Sequence, residues 1–467
     1  MLRMRTDWRN LGQALALTLA SAMVWGLAHL VAGRTRTGLA LAGAYTVLLG
    51  AVFAAATAFR PALLELAVRP NWLTGLILAA LAIGFCWSAV IVSSYRLVRP
   101  LNLDKVERGI ATGVVSLLCV LVVAPMAYAG RLAYVSRDVL LTVFNGGVPL
   151  RPDPWARKPR LNVLLVGADA ARNRPGARTD SVTVASVDTR TGDTVLFGLP
   201  RNLEHVPMPP GPARNAFPWG FSGDGDEATP GLLNEVYQWA EDHPSIVPGA
   251  HGDRGMRLLR DTVSGILGLH IDYYAMLDMK GFTQIVNAIG GVTVTIRQDI
   301  PYGLEGGVLE AGRRRLDGQQ ALWFGRSRTD SDDYVRMGRQ KCLLNAVAKQ
   351  ADPVAVLRGF ERIADATKRY VTTDVPQSML PALLKLSEKI KKAHIRSLQF
   401  VPPLVNTADP DWGLIQREVG KALRPQHPRA RHSRAEHPRP RQVPQRSPRP
   451  AKGPSSPGTA QSLDSIC

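Results

Sequence analysis

Two aspartates and a run of arginines are the residues best suited to chemistry. Asp169 follows the apolar run Leu161–Val166 after Gly167 and Ala168, and Asp180 stands with Arg178 just ahead of the alternating segment Ser181–Asp188. Two carboxylates near the ends of adjacent strands can share a divalent cation, and Mg²⁺ (or Mn²⁺) takes one or two carboxylates beside phosphate oxygens. Taken alone, each Asp equally suits a turn. Arg201 follows a third strand-like stretch, in Leu199-Pro200-Arg201-Asn202, at what would be the same sheet edge. A second group lies in Phe324–Gln340: Arg326 and Arg328 are two apart, and Asp333, Arg336 and Gln340 stand at i, i+3 and i+7, so they share one helical face. The basic residues of this segment are all Arg, whose guanidinium fork grips phosphate oxygens in two places at once. A pyrophosphate suits such a cluster; a surface ion-pair network would also produce it.

The elements that must position these groups read as a soluble α/β domain. Leu161–Val166 is a buried central strand, Ser181–Asp188 alternates in period two, and Asp193–Pro200 repeats the strand signal after Thr189-Arg190-Thr191-Gly192. An irregular Pro- and Gly-rich excursion occupies Glu204–Pro230, and Leu232–Ala240 recovers helical spacing. Asp253–Leu267 is amphipathic, Ile271–Asp278 strand-like, Gly281–Ala288 helical and Val292–Ile296 a strand after Gly290-Gly291. Helices dominate from Leu316 to about Ala366, and His394–Val401 is a late strand. Alternation of this kind implies a sheet with helices packed on its faces.

Ahead of this domain, residues 11–33, 39–59, 72–94 and 109–130 are four apolar runs without Asp, Glu, Lys or Arg, each near the ~20 residues that cross a bilayer. Residues 1–135 therefore form an all-α membrane region and 136–159 a linker. If all four runs span, the positive-inside count is close to a tie, with Arg3, Arg5, Arg9, Arg60, Arg69 and Arg131 against Arg34, Arg36, Arg96, Arg99, Lys105 and Arg108. If 11–33 only lies in the interface, the N-terminal region and the domain fall on opposite faces. Residues 422–467 are Arg, Pro, His and Ser with few large apolar side chains, and read as a disordered basic tail. Cys86, Cys119, Cys342 and Cys467 show no C-x-x-C spacing, which excludes a disulfide scaffold or zinc module; Cys342 reads as a packed thiol. The net charge of +19 and pI ≈ 10.2 come largely from membrane-flanking loops and the tail, and without a recognition motif they do not imply a nucleic-acid partner.

Six ordered blocks strongly resemble the LytR-CpsA-Psr (LCP) family of cell-wall ligases: LNVLLVGADA at 161–170, ARTDSVTVASVD at 177–188, VLFGLPRN at 195–202, LNEVYQWA at 233–240, IDYYAMLDMKGFTQIVNAIGGVTV at 271–294 and LDGQQALWFGRSRTDSDDYVRMGRQ at 316–340. The resemblance implies an αβα domain with a central mixed sheet over 160–421, its core motifs in 160–350, lying outside the cytoplasm. It implies a membrane-anchored phosphotransferase that moves a glycopolymer from a polyprenyl-pyrophosphate carrier to peptidoglycan, with membrane lipid as a further partner and pyrophosphatase as a side activity. It implies that Asp169 and Asp180 hold the metal, that Arg178, Arg201, Arg326, Arg328 and Arg336 with Gln340 line the phosphate site, and that Asp333 supports the arginines.

Three positions depart from the family pattern. Asn202 stands where an Asp that could orient Arg201 is usual, Ala171 where an Arg is usual with Arg172 beside it, and Asn287 where Asp is usual. No Ser-His-Asp or Cys-His arrangement is visible, so the general base defaults to a metal-site Asp. An apolar wall for the polyprenyl chain is expected in Ile271–Ile296. A non-catalytic polyprenyl-phosphate sensor or membrane regulator is the alternative; it would keep the arginines but has no need of the two metal carboxylates.

Overall fold

The structure is a computed structural model that describes residues 11–467 apart from 58–62, 64–65, 101, 145–153, 156–157, 170–177, 226–229, 304–305, 329–331, 352–369 and 425–459. Ala171, Arg172 and most of the basic tail thus lie outside the described residues, as does the end of the helical stretch expected to reach Ala366. The chain divides into two compact units, one holding residues 1–149 and the other most of residues 150–467.

In the first unit three helices are long and apolar enough to cross a membrane: Thr35–Thr57, Pro70–Val98 and Lys105–Val143. The last begins with a capping box, in which Asp104 accepts from the backbone of Glu107 and the Glu107 carboxylate accepts from the backbone of Asp104. The run 11–33 is not one helix. It forms Leu11–Met23 and Leu27–Val31, separated at Gly26, which takes φ 91° where a Cβ would collide with the Gly38 carbonyl. Thirteen residues fall short of the ~20 needed to span, and apolar composition alone does not reveal such a break.

The second unit is a mixed sheet between helical layers, as expected. Its strands are β1 (Arg160–Asp169), β2 (Arg178–Asp188), β3 (Thr194–Leu199), β4 (Tyr273–Asp278), β9 (Val371–Thr373), β10 (Ile395–Gln399) and β11 (Gln461–Ser462), in the spatial order β11-β10-β3-β2-β1-β4-β9. β1 pairs antiparallel with β2 and parallel with β4; β3 pairs antiparallel with β2 and parallel with β10. Side chains of period two divide the sheet. Leu164, Val184, Phe197 and Leu199 face a core closed by Asp253–Leu267 and Trp412–Leu423, while Leu165, Ala185, Leu196 and Ile395 face Asp333–Gln350. Two hairpin-like pairs, β5 (Val292–Ile296) with β8 (Gly312–Leu316) and β6 (Ile300–Tyr302) with β7 (Gly307–Leu309), build a satellite with its own core around Val292, Phe324 and Leu343.

The end of the chain departs from the expected tail. β11 adds antiparallel to β10, Leu463 is fully buried, and Cys467 is joined to Cys342 by a disulfide with a Cα–Cα distance of 5.3 Å. Cys342 is therefore not a free packed thiol, and the chain carries a disulfide that cysteine spacing does not suggest, because the two partners lie 125 residues apart.

Candidate functional site

The site forms where β1, β2 and β3 end. Pairing of β1 with β2 slips at Gly167/Ala168, so that Gly167 lies opposite Ser181 and Ala168 opposite Thr179. Asp180 is the extra residue of this bulge, and a bulge re-aims the side chain it leaves unpaired. Gly167 is required there: a Cβ would approach that of Ser181 to 3.1 Å. Asp169 closes β1 directly opposite Arg178.

Arg201, two residues after β3, is the keystone. Its Nη1 donates to Asp180 Oδ1 at 2.7 Å and its Nε to Asp333 Oδ2 at 2.9 Å. Burial by itself would lower the Arg201 pKa, but hydrogen bonds and charge from Asp180 and Asp333 prevail and the net shift is upward. Asp333 opens the helix Asp333–Gln350, whose N-cap Asp332 accepts from the backbone of Val335. The Asp333 carboxylate also receives Arg336 Nη2 at 3.0 Å and Arg328 Nε at 3.1 Å. Burial pushes Asp333 up, yet Arg336, Arg201 and Arg328 together hold it below the ordinary carboxylate value. Arg336 is 3% exposed, its pKa is lowered by burial, and its buried Nε has no hydrogen-bond partner among the described residues. Arg326, at the end of the helix Gly318–Arg326, places Nη2 3.5 Å from Asp169 Oδ2. Five guanidiniums against three carboxylates leave the site net positive.

Asp333 supplies a pH test. A carboxylate with a depressed native pKa adds stability above its unfolded value of about 3.9, and that stability is lost as pH falls through the lower native value. Asp333→Asn should therefore destabilise the protein at neutral pH, with the deficit shrinking below about pH 4. Thermal unfolding at stepped pH measures it; a deficit that stays constant into acid would show that ionised Asp333 does not hold the arginines.

The nine sequence-derived residues fall into two contact groups. Asp180, Arg201, Arg328, Asp333 and Arg336 form one connected network, and Asp169 and Arg326 form a second pair. Arg178 is placed by strand register beside Asp169. Gln340 departs from its expected role, because its Nε2 donates to the Gly325 carbonyl at 3.2 Å and so fastens the turn that carries Arg326 and Arg328. Arg339 does the same through the Ser327 carbonyl. Asn202 leaves the orientation of Arg201 to the two aspartates and donates instead to Thr407. Asn287 accepts from the Gly318 backbone at 2.7 Å, a task an amide oxygen performs as a carboxylate would.

Asn234 is not legible from sequence as a site residue. The turn Leu233–Glu235 is stitched to the site through Asn234 N donating to Arg201 O and Thr179 Oγ1 donating to Asn234 O, which brings Asn234 Nδ2 to 3.4 Å from Asp180 Oδ1. Asp180 and Arg201 open onto a cleft of ≈ 360 Å³ between the sheet and the helix Asp333–Gln350, lined by Thr183, Leu196, Gly198, Met337, Gln340 and Lys341 among others. The apolar residues of Ile271–Ile296 do not supply this wall. Ile271 and Tyr274 belong to the main core, and Val286, Val292, Val294 and Ile296 to the satellite core.

The LytR_cpsA_psr family model matches residues 145–409, more than half of the chain and the whole of this site. The chain belongs to the LytR_cpsA_psr family. Among LytR_cpsA_psr relatives, Biofilm regulatory protein A of Streptococcus mutans is 26% identical over 311 residues, covering 63% of this chain and 70% of the relative. Regulatory protein MsrR of Staphylococcus aureus is 25% identical over 246 residues, covering 52% and 63%. The polyisoprenyl-teichoic acid–peptidoglycan teichoic acid transferase TagU of Enterococcus faecalis is 27% identical over 223 residues, covering 47% and 62%. The chain thus spans less than two thirds of the length of MsrR and TagU. Among solved structures, TagT bound to LIIa-WTA shares 21% identity at a TM-score of 0.42, covering 58% of this chain and 92% of the other. TagV of B. subtilis shares 22% at 0.39, covering 57% and 96%.

Proposed function

We propose that this LytR_cpsA_psr protein is a membrane-anchored phosphotransferase that moves a glycopolymer from a polyprenyl-pyrophosphate carrier to peptidoglycan outside the cytoplasm. The observation that carries the reading is Arg201, bonded at once to Asp180 and Asp333 in a net-positive site that opens on a cleft. Phosphoryl transfer asks mainly for positioning and for neutralisation of spread negative charge. The name of the TagU relative describes a transfer of the same kind.

In this reading Arg201, Arg326, Arg328 and Arg336 hold the pyrophosphate oxygens, and Asp333 keeps three of these guanidiniums in register. An acceptor sugar hydroxyl forms a new O–P bond to the phosphorus bearing the glycan. The bond from that phosphorus to the bridging oxygen breaks, polyprenyl phosphate departs with that oxygen, and the hydroxyl proton passes to a carboxylate of the Asp169/Asp180 pair. The donor set fits Mg²⁺ or Mn²⁺: among the described residues there is no cluster of three or more His, Cys, Asp or Glu side chains, and the hydrogen bonds from Arg201 and Asn234 both fall on Oδ1 of Asp180, which leaves Oδ2 for a cation. Asp169 and Asp180 would hold it, with substrate oxygens completing the shell. Bound there, a divalent cation supplies charge neutralisation on the transferred phosphoryl group.

Two observations support the placement outside. Cytoplasmic thiols stay reduced, whereas the domain carries Cys342–Cys467. With three spanning helices in place of four, Arg3, Arg5, Arg9, Arg34, Arg36, Arg96, Arg99, Lys105 and Arg108 gather on one face and Arg60, Arg69, Arg131 and Arg137 on the other. The positive-inside bias then puts the N-terminal region in the cytoplasm and the domain outside.

The test incubates the full chain in detergent with polyprenyl-pyrophosphate glycan, peptidoglycan fragments and Mg²⁺. A covalent glycan–peptidoglycan product with released polyprenyl phosphate is the expected result. Bound carrier without product would replace the transferase with a polyprenyl-phosphate-binding regulator.

A further inference from the structure

The cleft does not end where Lys341 closes its lining. On the helix Asp333–Gln350, the face that carries Asp333 and Met337 continues through Lys341 to Leu344 and Ala348 at helical spacing. On the sheet, the face that lines the cleft with Thr183 and Gly198 continues to Ala185, paired with Leu196, and to Leu165. Leu196 belongs to both, since it lines the cleft and packs in the cluster beyond it. One sheet–helix interface thus runs from the charged site to an apolar far end.

At that far end the space is taken by the chain itself. Leu463, fully buried, packs with Ala185, Leu196 and Ile395, and Ile466 and Cys467 flank it against Leu344 and Ala348. Three independent ties hold the segment there: β11 paired to β10, the disulfide from Cys467 to Cys342, and Arg297 Nη2 donating to the Ile466 carbonyl at 2.6 Å. A strand of two residues would fray on its own, so the covalent tie is what makes the occupation permanent.

We propose that residues 460–467 are a built-in stopper that sets how far the apolar chain of the carrier penetrates the cleft, with Leu463 as the length-determining residue. The inference rests on the proposed carrier-dependent transfer and adds a specificity element to it. The polarity along the interface matches an amphiphile with an anionic head: Asp180 and Arg201 stand at one end, Met337 and Leu196 come next, and the cluster around Leu463 closes the other. Lys341 lies between, and burial lowers its pKa, so its charge is readily given up when an apolar chain fills the cleft. A stopper fixed by a disulfide sets a sharper limit than a mobile loop, because a side chain added or removed at Leu463 changes the depth of the cleft directly.

The test uses the full chain in detergent with pyrophosphate-linked glycan on carriers that lengthen one isoprenoid unit at a time, read as KM and kcat separately. For the parent, KM should fall with each added unit until the chain meets Leu463 and then level off. Leu463→Ala should move the levelling point longer, improving KM for the next longer carrier by about tenfold, the scale of burying several more methylenes. Leu463→Trp should move it shorter, and kcat on the shortest carrier should stay unchanged in both. Thermal unfolding confirms that each variant is folded; loss of stability alone would not shift the levelling point in opposite directions. An unchanged levelling point in both folded variants overturns the stopper while leaving the transferase intact. No binding or transfer from a carrier of any length overturns the proposed function, and the stopper with it.

Discussion

Arg201→Lys should lower the rate of glycan transfer by about a hundredfold or more, the cost seen when one preorganised donor to a developing charge is lost. The charge is kept, so simple electrostatics predicts little change; geometry predicts the large one. Arg201 reaches Asp180 with Nη1 and Asp333 with Nε, two nitrogens set apart by the planar guanidinium. A lysine has one nitrogen on a flexible stem and can serve one carboxylate at a time. The strand-end carboxylate in the bulge and the carboxylate that opens the helix Asp333–Gln350 would lose their common partner. With it goes the fixed orientation of Arg328 and Arg336, which also rest on Asp333. Transfer assays on the full chain, with thermal unfolding as a control, read the effect. A folded Lys variant within a few-fold of the parent would mean that Arg201 acts only as a charge.

The parts of this network are legible in the amino-acid sequence, but their wiring is not. Asp169, Asp180 and Arg201 are visible because each follows or precedes a strand whose apolar pattern is unambiguous, as in Leu161–Val166. Asp333 and Arg336 are visible through helical spacing, and Arg336 does donate to Asp333. The bulge at Asp180 is hidden, because a one-residue slip in pairing leaves no trace in the composition of either strand. Asn234 escapes for a similar reason, since its position depends on backbone bonds to Arg201 and Thr179 in a short turn. Spacing puts Gln340 on the correct face of its helix but gives it the wrong partner: it specifies a direction, and the turn that brings the Gly325 carbonyl within reach is a tertiary fact.

The longer-range features are the least legible. Strands β6 to β9 have three to five residues each, too few for alternation to register, and Arg313, Arg314 and Arg315 in β8 are exposed. Gly26 breaks an apolar run that hydropathy treats as continuous. Cys467 finds Cys342 across an intervening stretch whose Arg- and Pro-rich composition argues against order, so composition consigns the last residues to a tail although Leu463 is fully buried.

Asp180→Ala should abolish Mg²⁺-dependent transfer, a loss of about a thousandfold or more given that the site would forfeit a charge and a positioned donor together. The fold should survive. Arg201 keeps its bond to Asp333, and Asp180 is partly exposed at a strand end where few apolar contacts depend on it; the stability cost should be about 1 kcal/mol, that of one hydrogen-bonded partner. Asp180→Asn separates the two contributions, because an amide oxygen can still accept from Arg201 and Asn234 while the negative charge is gone. If Asp180 acts through the cation, the Asn variant should bind Mn²⁺ far more weakly than the parent, by paramagnetic resonance titration as well as by activity, and high Mg²⁺ should restore part of its transfer. If it acts only by orienting Arg201, the Asn variant should be nearly as active as the parent with its Mn²⁺ affinity unchanged. Metal binding that survives in both variants would remove Asp180 from the cation site and leave it as the strut for Arg201.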